Sequence, residues 1–591
     1  MVSQNPQEFT AESGLSGAEA ILRILGKMGV ERIFASPGSE WYALWECLAK
    51  PYAPGEFPVY CSTRHEETAV AMATGYAKVT GKLPAVILHS TVGSLHATMA
   101  LRAAVHERVP MVVLAGESVA FGEDEGPDPG DQWLAVLADL GGPAKLAEPS
   151  VKWSFGLNTA AILPATIQRA CQLAVAVPQG PVFVSIPWEF MFETVKPGAL
   201  SVTALPKSPA ANSEAIDELA QALVASASPL VITEYVGRSV RAVDHLVVLA
   251  ELLGAPVFEG WHPGYLNFPR AHPLYGGIRP TNPLYGGTSP KIGFSEFLND
   301  FDLLLLIDTV LPWHPPSSAP GARTRVAVLG DDPLHAPMPF WGFRCDLIVP
   351  GQVETSLAML VDRVRTMLPP DARASSIERW RERHVSQRQK FHERSQIPQN
   401  KKSIDARLVL DELNQILPSD AIVVDETITH RLEILRRLDC LTPGRYFNAC
   451  YGGLGLGLGT ALGVKVARPD QAVINLIGDG GFNYNPVLPS LGACQEHRIP
   501  ILIVIFNNAG YLSQKAGIPQ HFPDGWAVKS NTFIGTSITP TPDYSSLARM
   551  FDGYGEKVED PGQVRAALLR GLEAISRGQL ALIDIKLEPI N

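Results

Sequence analysis

The sequence predicts an α/β protein built from three doubly wound parallel-sheet domains. Short runs of β-branched residues or leucine, such as 303–307 and 501–506, alternate throughout the chain with longer segments of helical pattern. This alternation is typical of parallel βαβ units. The 591 residues are enough for three or four domains at about 150 residues each. The first and last blocks of the chain share the same α/β rhythm and a similar size.

Composition and charge narrow the class of protein. Apolar residues make up 46% of the chain and charged residues 18%, which excludes disorder, collagen and coiled coil. A net charge of −11 argues against nucleic acid and anionic membrane surfaces as partners.

Cysteine spacing and apolar runs predict the compartment. The seven cysteines lie far apart without a C-x-x-C pair, which fits reduced thiols better than disulfides or a zinc site. The polar segment 1–14 lacks the apolar core of a signal peptide. Every apolar run is strand-sized and shorter than the ~18 residues of a membrane span. We therefore expect a cytoplasmic protein that does not enter the membrane.

The first predicted domain spans residues 1–195. A stretch rich in Pro, Ala and Ser at 195–212 indicates a linker after it. Its expected strands are 32–35, 85–89, 111–115 and 181–186, with helical stretches near 17–28, 66–80 and 95–107.

The second predicted domain spans 213–365 and the third spans 403–591. The charged connector between them, 366–402, is expected to be a solvated surface helix. The expected strands of these two domains are 229–233, 256–259, 302–307, 324–328, 347–349, 421–425, 472–477, 501–506 and 581–586.

The strongest local signal lies in the third domain, where INLIGDGGFN is followed by ILIVIFNNAGY. One buried strand ends at Gly478-Asp479-Gly480, and the next ends at Asn507-Asn508. Parallel strands end at one edge of a sheet, where ligands bind. Gly478, Gly480 and Gly481 let the backbone approach a diphosphate. Asp479 and the Asn508 amide supply hard oxygen ligands, which suit Mg²⁺ or Ca²⁺.

GDG, 26 intervening residues and NN resemble the diphosphate and metal signature of thiamine diphosphate (ThDP) enzymes. By this resemblance Asp479, the Asn508 side chain and the Gly510 carbonyl hold Mg²⁺, which bridges to the cofactor. The segment RHEETAVAMATGYAKVTG is similar to the pyrimidine-domain helix of that family. Glu66 then matches the glutamate that shares a proton with N1′ of the aminopyrimidine. The family fold implied is a pyrimidine-binding domain, a middle domain and a diphosphate-binding domain.

Two further segments resemble parts of the same cofactor site. In NACYGGLGLGLGTALG, the resemblance places the Gly452 backbone against the 4′-amino group and makes Leu454 the wedge that bends the cofactor. In VVDETITH, it places Thr429 against the diphosphate. A closely packed glycine-rich turn is the alternative interpretation of the first segment.

Three polar residues resemble the substrate-binding residues of benzoylformate decarboxylase. Ser39 follows the first strand, His89 follows another strand, and His272 lies in FPRAHPLYGG of the middle domain. A hydroxyl is suited to hold a carboxylate, and imidazoles move protons near neutral pH. Turn capping remains the alternative role for Ser39. His65, His96 and His106 are expected to be structural, although His96 is placed to reach the pocket.

Departures from the family pattern refine this picture. The chain lacks the adjacent histidine pair of pyruvate decarboxylases, and Glu117 stands where acetohydroxyacid synthases have a glutamine. ITEYVGRS replaces a glycine triplet in the middle domain, which argues against a bound FAD. The segment 512–540, rich in Gly, Pro and aromatics, is expected to form a lid over the active site.

The resemblance implies a ThDP- and Mg²⁺-dependent 2-oxo acid decarboxylase or carboligase, which cleaves or forms the bond next to a carbonyl through an enamine intermediate. Its substrates are small 2-oxo acids and aldehydes. In the family, Glu66 comes from one chain and the diphosphate site from another, so a homodimer or homotetramer is expected. The alternatives are an acetolactate synthase-like carboligase and a catalytically silent ThDP-binding protein. A Rossmann dehydrogenase is a third option, but in this chain no strand is followed by the G-x-G-x-x-G fingerprint of that class.

Overall fold

The computed structural model describes residues 14–119, 141–195, 200–260, 264–278, 297–313, 318–336, 338–369, 371–394, 402–439, 441–449 and 453–588. The chain folds into two compact units, Met1–Lys207 and Ser208–Asn591. Gly452, one of the predicted cofactor contacts, lies outside the described residues. Within the described part of the chain, no helix is both long and apolar enough to cross a membrane.

The first unit contains a six-stranded parallel sheet with the order β3-β2-β4-β5-β7-β6. Two short strands, β1 (Leu15–Ser16) and β8 (Thr194–Val195), form a separate antiparallel pair. The strands of the main sheet are β2 (Arg32–Ser36), β3 (Val59–Ser62), β4 (Ala85–Leu88), β5 (Met111–Glu117), β6 (Trp153–Gly156) and β7 (Pro181–Pro187). The helices of this unit are Gly17–Lys27, Tyr42–Ala49, Glu66–Thr80, Thr91–His106, Gly142–Ala147 and Leu163–Val175.

The second unit contains two further six-stranded sheets, which are also parallel throughout. The middle sheet has the order β11-β10-β9-β12-β13-β14, and the last sheet has the order β16-β15-β17-β18-β20-β19. The middle strands are β9 (Pro229–Thr233), β10 (Val257–Glu259), β11 (Tyr275–Ile278), β12 (Leu303–Ile307), β13 (Arg325–Gly330) and β14 (Leu347–Pro350). The last strands are β15 (Ile422–Glu426), β16 (Tyr446–Asn448), β17 (Val473–Gly478), β18 (Leu502–Asn507), β19 (Tyr554–Val558) and β20 (Ala581–Lys586).

The helices of the second unit connect these strands. Those around the middle sheet are Ser213–Ala225, Val240–Leu253 and Val353–Met367, and the connector helix is Ala374–Arg394. Those around the last sheet are Ala406–Ile416, Arg431–Arg437, Gly457–Ala467, Asp479–Tyr484, Val487–His497, Leu512–His521, Trp526–Lys529, Ser546–Arg549 and Val564–Ser576.

Local sequence sets where these helices begin and end. The helix Val240–Leu253 begins after Ser239, whose hydroxyl accepts the Ala242 N–H, and it ends at Gly254 with a φ of +58°. A side-chain oxygen satisfies an otherwise unpaired N–H at the start, and glycine adopts the left-handed conformation at the end without strain. The central strands, such as Leu303–Ile307, are buried on both faces, as expected for parallel sheets covered by helices.

Strand order fixes where ligands bind. Numbered within each sheet, the first and last sheets have the same order, 2-1-3-4-6-5, whereas the middle sheet has the order 3-2-1-4-5-6. The connections therefore reverse direction between β2 and β4, between β15 and β17, and between β9 and β12. Doubly wound sheets bind ligands at the carboxyl ends of the strands beside such a reversal. The predicted fold class is confirmed.

The packing of the first unit yields a stability prediction. Lys78 and Glu107 form an ion pair of 2.6 Å whose side chains are 0% and 4% exposed. Removing one partner takes away the opposite charge that faces a buried ion, so Lys78→Met should destabilise the protein by about 3–5 kcal/mol. Lys82→Met, which breaks the exposed pair with Glu31, should cost no more than about 1 kcal/mol. Urea unfolding of both variants measures the difference, and equal losses would contradict it.

Candidate functional site

Three predicted site residues lie at the carboxyl edge of the first sheet. Glu66 follows β3, His89 follows β4, and Ser39 begins a short 3-10 turn after β2. Because the spatial order is β3-β2-β4, the three residues lie at neighbouring strand ends. Ser39 and His89 flank the reversal point where doubly wound sheets bind ligands.

Glu66 is the first residue of its helix, and its side chain is 13% exposed. The His65 ring caps this helix by accepting the Glu67 N–H at 3.2 Å. Glu66 Oε2 lies 3.1 Å from His96 Nδ1, and the His96 ring stacks on His65 with a centroid distance of 5.2 Å. His96 therefore orients one oxygen of the Glu66 carboxylate.

Gly93 lets Glu66 and His89 approach the same turn of a helix. A Cβ at this position would lie 3.1 Å from Glu66 Oε1 and 2.9 Å from His89 Cβ. Ordinary contacts between carbon atoms are about 3.5–4.0 Å, so a larger side chain would push the two residues apart.

Glu40 is a site residue that the sequence analysis missed. Both of its carboxylate oxygens lie 2.9 Å from His89 Nδ1, and its side chain is 0% exposed. The hydrogen bond with Glu40 raises the pKa of His89 above its usual value. A Cβ on Gly116 would lie 1.8 Å from Glu40 Cγ, so glycine is needed there. The signal available was an acidic residue beside Ser39 in the turn FASPGSEW.

The Glu40–His89 contact predicts a change in a histidine pKa. Glu40→Gln removes the negative charge that favours the imidazolium, so the pKa of His89 should fall. The pH dependence of His89 modification by diethyl pyrocarbonate, followed by mass spectrometry, measures this. His65, which has no contact with Glu40 in the described structure, serves as the internal control. An unchanged His89 profile would show that the carboxylate does not control its proton.

His272 belongs to the second unit, in the loop before β11 of the middle sheet. Its Nε2 is 3.3 Å from Glu251 Oε1, its Nδ1 accepts the Leu274 N–H at 3.2 Å, and its ring meets Phe268 edge-on. Both ring nitrogens therefore have partners that stabilise the loop before β11.

The remaining predicted site residues line one cleft of the second unit. It lies at the reversal point between β15 and β17. The described predicted residues in its wall are Thr429, Leu454, Gly478, Asp479, Gly480, Gly481, Asn508 and Gly510. The sequence thus located a common site from segments that are far apart in the chain.

Two oxygen ligands converge inside this cleft. The Gly510 N–H donates to Asp479 Oδ2 and to Asn508 Oδ1, at 3.1 Å in each case. The backbone of the following loop is held because Tyr511 N–H donates to the Thr536 carbonyl at 2.8 Å. Burial raises the pKa of Asp479 to about 6. A carboxylate and an amide oxygen at one point form a hard donor set suited to Mg²⁺.

Glu426, at the end of β15, is a second residue that the sequence analysis missed. Its Oε1 accepts the N–H groups of Gly455 and Leu456 at 2.6 and 2.8 Å, and its Oε2 accepts from Asn485 Nδ2 at 2.7 Å. Burial raises the pKa of Glu426 to about 7. These bonds fix the loop that carries Leu454. The available signal was an acidic residue ending a buried strand in VVDETITH.

The predicted lid begins at the cleft. Tyr511, Leu512, Ser513 and Gln514 contribute to the cleft wall. The two helices that follow, Leu512–His521 and Trp526–Lys529, bury none of their residues, and Trp526 is 85% exposed. A segment with so few buried contacts is suited to move, and the lid role stays a prediction.

The reversal point of the middle sheet is filled by side chains of the chain itself. Glu234 accepts the N–H groups of Val310 and Leu311 at 2.6 and 3.1 Å. Arg238 and Asp308 form an ion pair beside it. A carboxylate on these two amides repels a phosphate, so the described residues do not fit an FAD diphosphate there.

Family comparisons match both ends of the chain. The model described as thiamine pyrophosphate enzyme, N-terminal TPP binding domain, matches residues 15–128. The model described as thiamine pyrophosphate enzyme, C-terminal TPP binding domain, matches residues 429–585. The first match contains Glu66, and the second contains the cleft residues from Thr429 to Gly510.

Individual relatives match nearly the whole chain. A benzoylformate decarboxylase of Pseudomonas aeruginosa is 27% identical over 548 residues, covering 91% of this chain and 92% of that protein. The acetolactate synthase isozyme 3 large subunit of Escherichia coli is 24% identical, covering 97% and 95%. The solved thiamine diphosphate-dependent 4-hydroxybenzoylformate decarboxylase of Rhodococcus jostii RHA1 is 25% identical with a TM-score of 0.76, covering 97% and 99%.

Proposed function

The chain belongs to the thiamine diphosphate-dependent enzymes of the benzoylformate decarboxylase and acetolactate synthase type, and on that premise we propose that it decarboxylates a small 2-oxo acid with the help of Mg²⁺. The observation that carries the proposal is the pairing of His89 with buried Glu40, beside Glu66 at the same sheet edge. Decarboxylation to an aldehyde ends in a proton transfer, and Glu40 favours the protonated form of His89 that would deliver the proton.

The cleft residues fit a diphosphate and its metal. His430 lines the cleft with its Nε2 buried and without a hydrogen-bond partner among the described residues. A Cβ on Gly478 would meet no atom within 4 Å, so the backbone there is open to a bound group. Asp479, Asn508 and the Gly510 carbonyl are proposed to hold Mg²⁺, and Thr429 and His430 to contact the diphosphate.

When bound, ThDP supplies a carbanion that attacks the keto carbon and then accepts the electrons of the broken bond. Glu66 holds the proton shared with the aminopyrimidine, and His96 keeps its carboxylate oriented. Leu454 is proposed to act as the wedge against the bound cofactor, because Glu426 fixes the backbone of the two residues that follow it, Gly455 and Leu456. Ser39 is proposed to bind the substrate carboxylate, and His89 to protonate the product.

Two alternatives remain within this proposal. An acetolactate synthase-like carboligase uses the same cofactor residues and transfers the two-carbon unit to a second 2-oxo acid. A silent ThDP-binding protein shares the cofactor site without turnover.

We propose that the active unit is a homodimer or homotetramer, in which Glu66 of one chain meets the cleft of another.

A substrate panel tests the reaction directly. CO₂ release is measured with ThDP and Mg²⁺ for pyruvate, branched-chain 2-oxo acids, phenylpyruvate and benzoylformate, and products are identified by mass spectrometry. CO₂ with an aldehyde is expected. Acetolactate or another acyloin as the main product would favour the carboligase, and no release with ThDP bound would favour the silent protein.

Glu66→Gln tests the acid–base role. The amide retains the shape of the side chain but does not ionise, so turnover should fall by about 10²–10⁴-fold while ThDP binding changes little. Turnover and a ThDP titration by tryptophan fluorescence are measured on the same preparation. Glu67→Gln, at the adjacent helical position, is the matched control. Near-normal turnover of Glu66→Gln would overturn the assignment.

Asp479→Ala tests the metal site. Loss of the carboxylate removes the charged ligand, so Mg²⁺-dependent ThDP binding should weaken by at least about tenfold, which corresponds to 1.4 kcal/mol. Calorimetric titration with ThDP, with and without Mg²⁺, measures the effect. Asp524→Ala, an exposed aspartate of the following loop, should bind as the native chain does. Unchanged binding in Asp479→Ala would exclude this residue as a metal ligand.

A further inference from the structure

A second cavity of the unit Ser208–Asn591 lies away from the cleft between β15 and β17. Its volume is about 220 Å³. The edge strand β11, the connector helix Ala374–Arg394 and the short helix Arg431–Arg437 enclose it. Its polar wall consists of Arg270, His384, Gln387, Arg388, Arg436 and Asp439. We name it the connector cavity.

Three guanidinium groups lie in the wall of the connector cavity. Arg388 pairs with Asp439, and Arg270 pairs with buried Glu259 at 3.1 Å. Arg436 is held less closely, because its carboxylate partner among the described residues, Glu433, lies 3.8 Å away. Arg436 is therefore the guanidinium best placed to pair with an anionic ligand.

An unsatisfied donor strengthens this conclusion. The Arg270 side chain is 5% exposed, and its Nε is buried without a hydrogen-bond partner among the described residues. A buried N–H without a partner is unfavourable, so this group gains a hydrogen bond if the Arg270 side chain shifts to meet a ligand oxygen. His384 Nδ1 lies 3.1 Å from the Tyr275 carbonyl, and burial lowers its pKa. A neutral His384 adds no charge to the wall.

The same cavity has an apolar side. Phe391, Leu435 and Ile278 also line it, and the Arg436 guanidinium lies 6.0 Å from the centre of the Phe391 ring. A guanidinium recognises a carboxylate through paired hydrogen bonds, while the aromatic and aliphatic side chains cover an apolar body. Both features together suit a small organic carboxylate better than a bare inorganic anion.

One short helix connects this cavity to the cofactor cleft. Leu435 and Arg436 line the cavity, and the loop directly before their helix, Thr427 to His430, lines the cleft. The seven-residue helix Arg431–Arg437 is about 10 Å long at 1.5 Å per residue. A ligand that displaces one end of such a rigid element also displaces the other.

We propose that the connector cavity binds a small organic carboxylate and that its occupancy changes the affinity of the cleft for ThDP. The binding itself is independent of the proposed function, whereas the effect on ThDP rests on it. By linkage, ThDP must change the affinity for the carboxylate by the same factor.

Benzoate is the probe that tests binding. Calorimetric titration of the full chain without ThDP should detect benzoate, and inorganic phosphate should bind more weakly because it lacks an apolar body. Arg436→Gln should weaken benzoate binding by at least about tenfold, and Arg436→Lys should retain part of it. Arg549→Gln, an exposed arginine of another helix, and His89→Ala, at the first unit's sheet edge, should bind benzoate as the native chain does.

Undiminished benzoate binding in a folded Arg436→Gln variant would overturn the site. Loss of benzoate binding in His89→Ala, with binding retained in Arg436→Gln, would also overturn it. Coupling is measured by titrating ThDP with and without saturating benzoate. The affinity for ThDP should shift in the native chain and not in Arg436→Gln, and an equal affinity in the native chain would overturn the coupling. If no 2-oxo acid is turned over but benzoate still binds through Arg436, the proposed function fails and the site stands.

Discussion

The cofactor cleft depends on the buried carboxylate of Glu426. Its three hydrogen bonds join the end of β15 to the loop before the helix Gly457–Ala467 and to Asn485. A Cβ on Gly457 would lie 2.5 Å from its Oε2, so the helix starts directly against it. Burying a carboxyl without partners costs several kcal/mol. The loop must therefore close over this group, and Leu454 is held at the reversal point as a consequence.

The first and last sheets have the same strand order but carry different chemical groups at their carboxyl edges. Polar side chains cluster where the central strands end, because the strands themselves are mostly apolar and buried on both faces. At the first edge the groups are carboxylates and imidazoles, which hold protons. At the last edge they are glycines and hard oxygen ligands around Asp479. In the proposed reaction, neither edge is sufficient without the other.

The central strands and the residues of the cleft could be predicted from the sequence. The outermost strands of each sheet and the buried acidic residues could not. The predicted strand 302–307 agrees with β12, Leu303–Ile307, to within one residue, because a short apolar run of leucines marks a strand buried on both faces. The strands of these three sheets that it missed, β3, β6, β11, β16 and β19, all lie at sheet edges. Glu40 and Glu426 were missed because their partners, His89 and Asn485, are 49 and 59 residues away. Burial of an acid depends on such distant partners.

Two carboxylate–imidazole pairs at one sheet edge differ in a way that suits two proton transfers. Glu40 is fully buried, and both of its oxygens lie within hydrogen-bond distance of His89. This contact raises the pKa of His89 and favours the protonated imidazole. Glu66 is partly open and bonds His96 through one oxygen only, so its other oxygen is available to a cofactor. Gly93 leaves room for Glu66 and His89 against one helical turn. The His89 imidazole and the Glu66 carboxylate are therefore positioned together. A decarboxylase that must both activate its cofactor and protonate its product requires this combination.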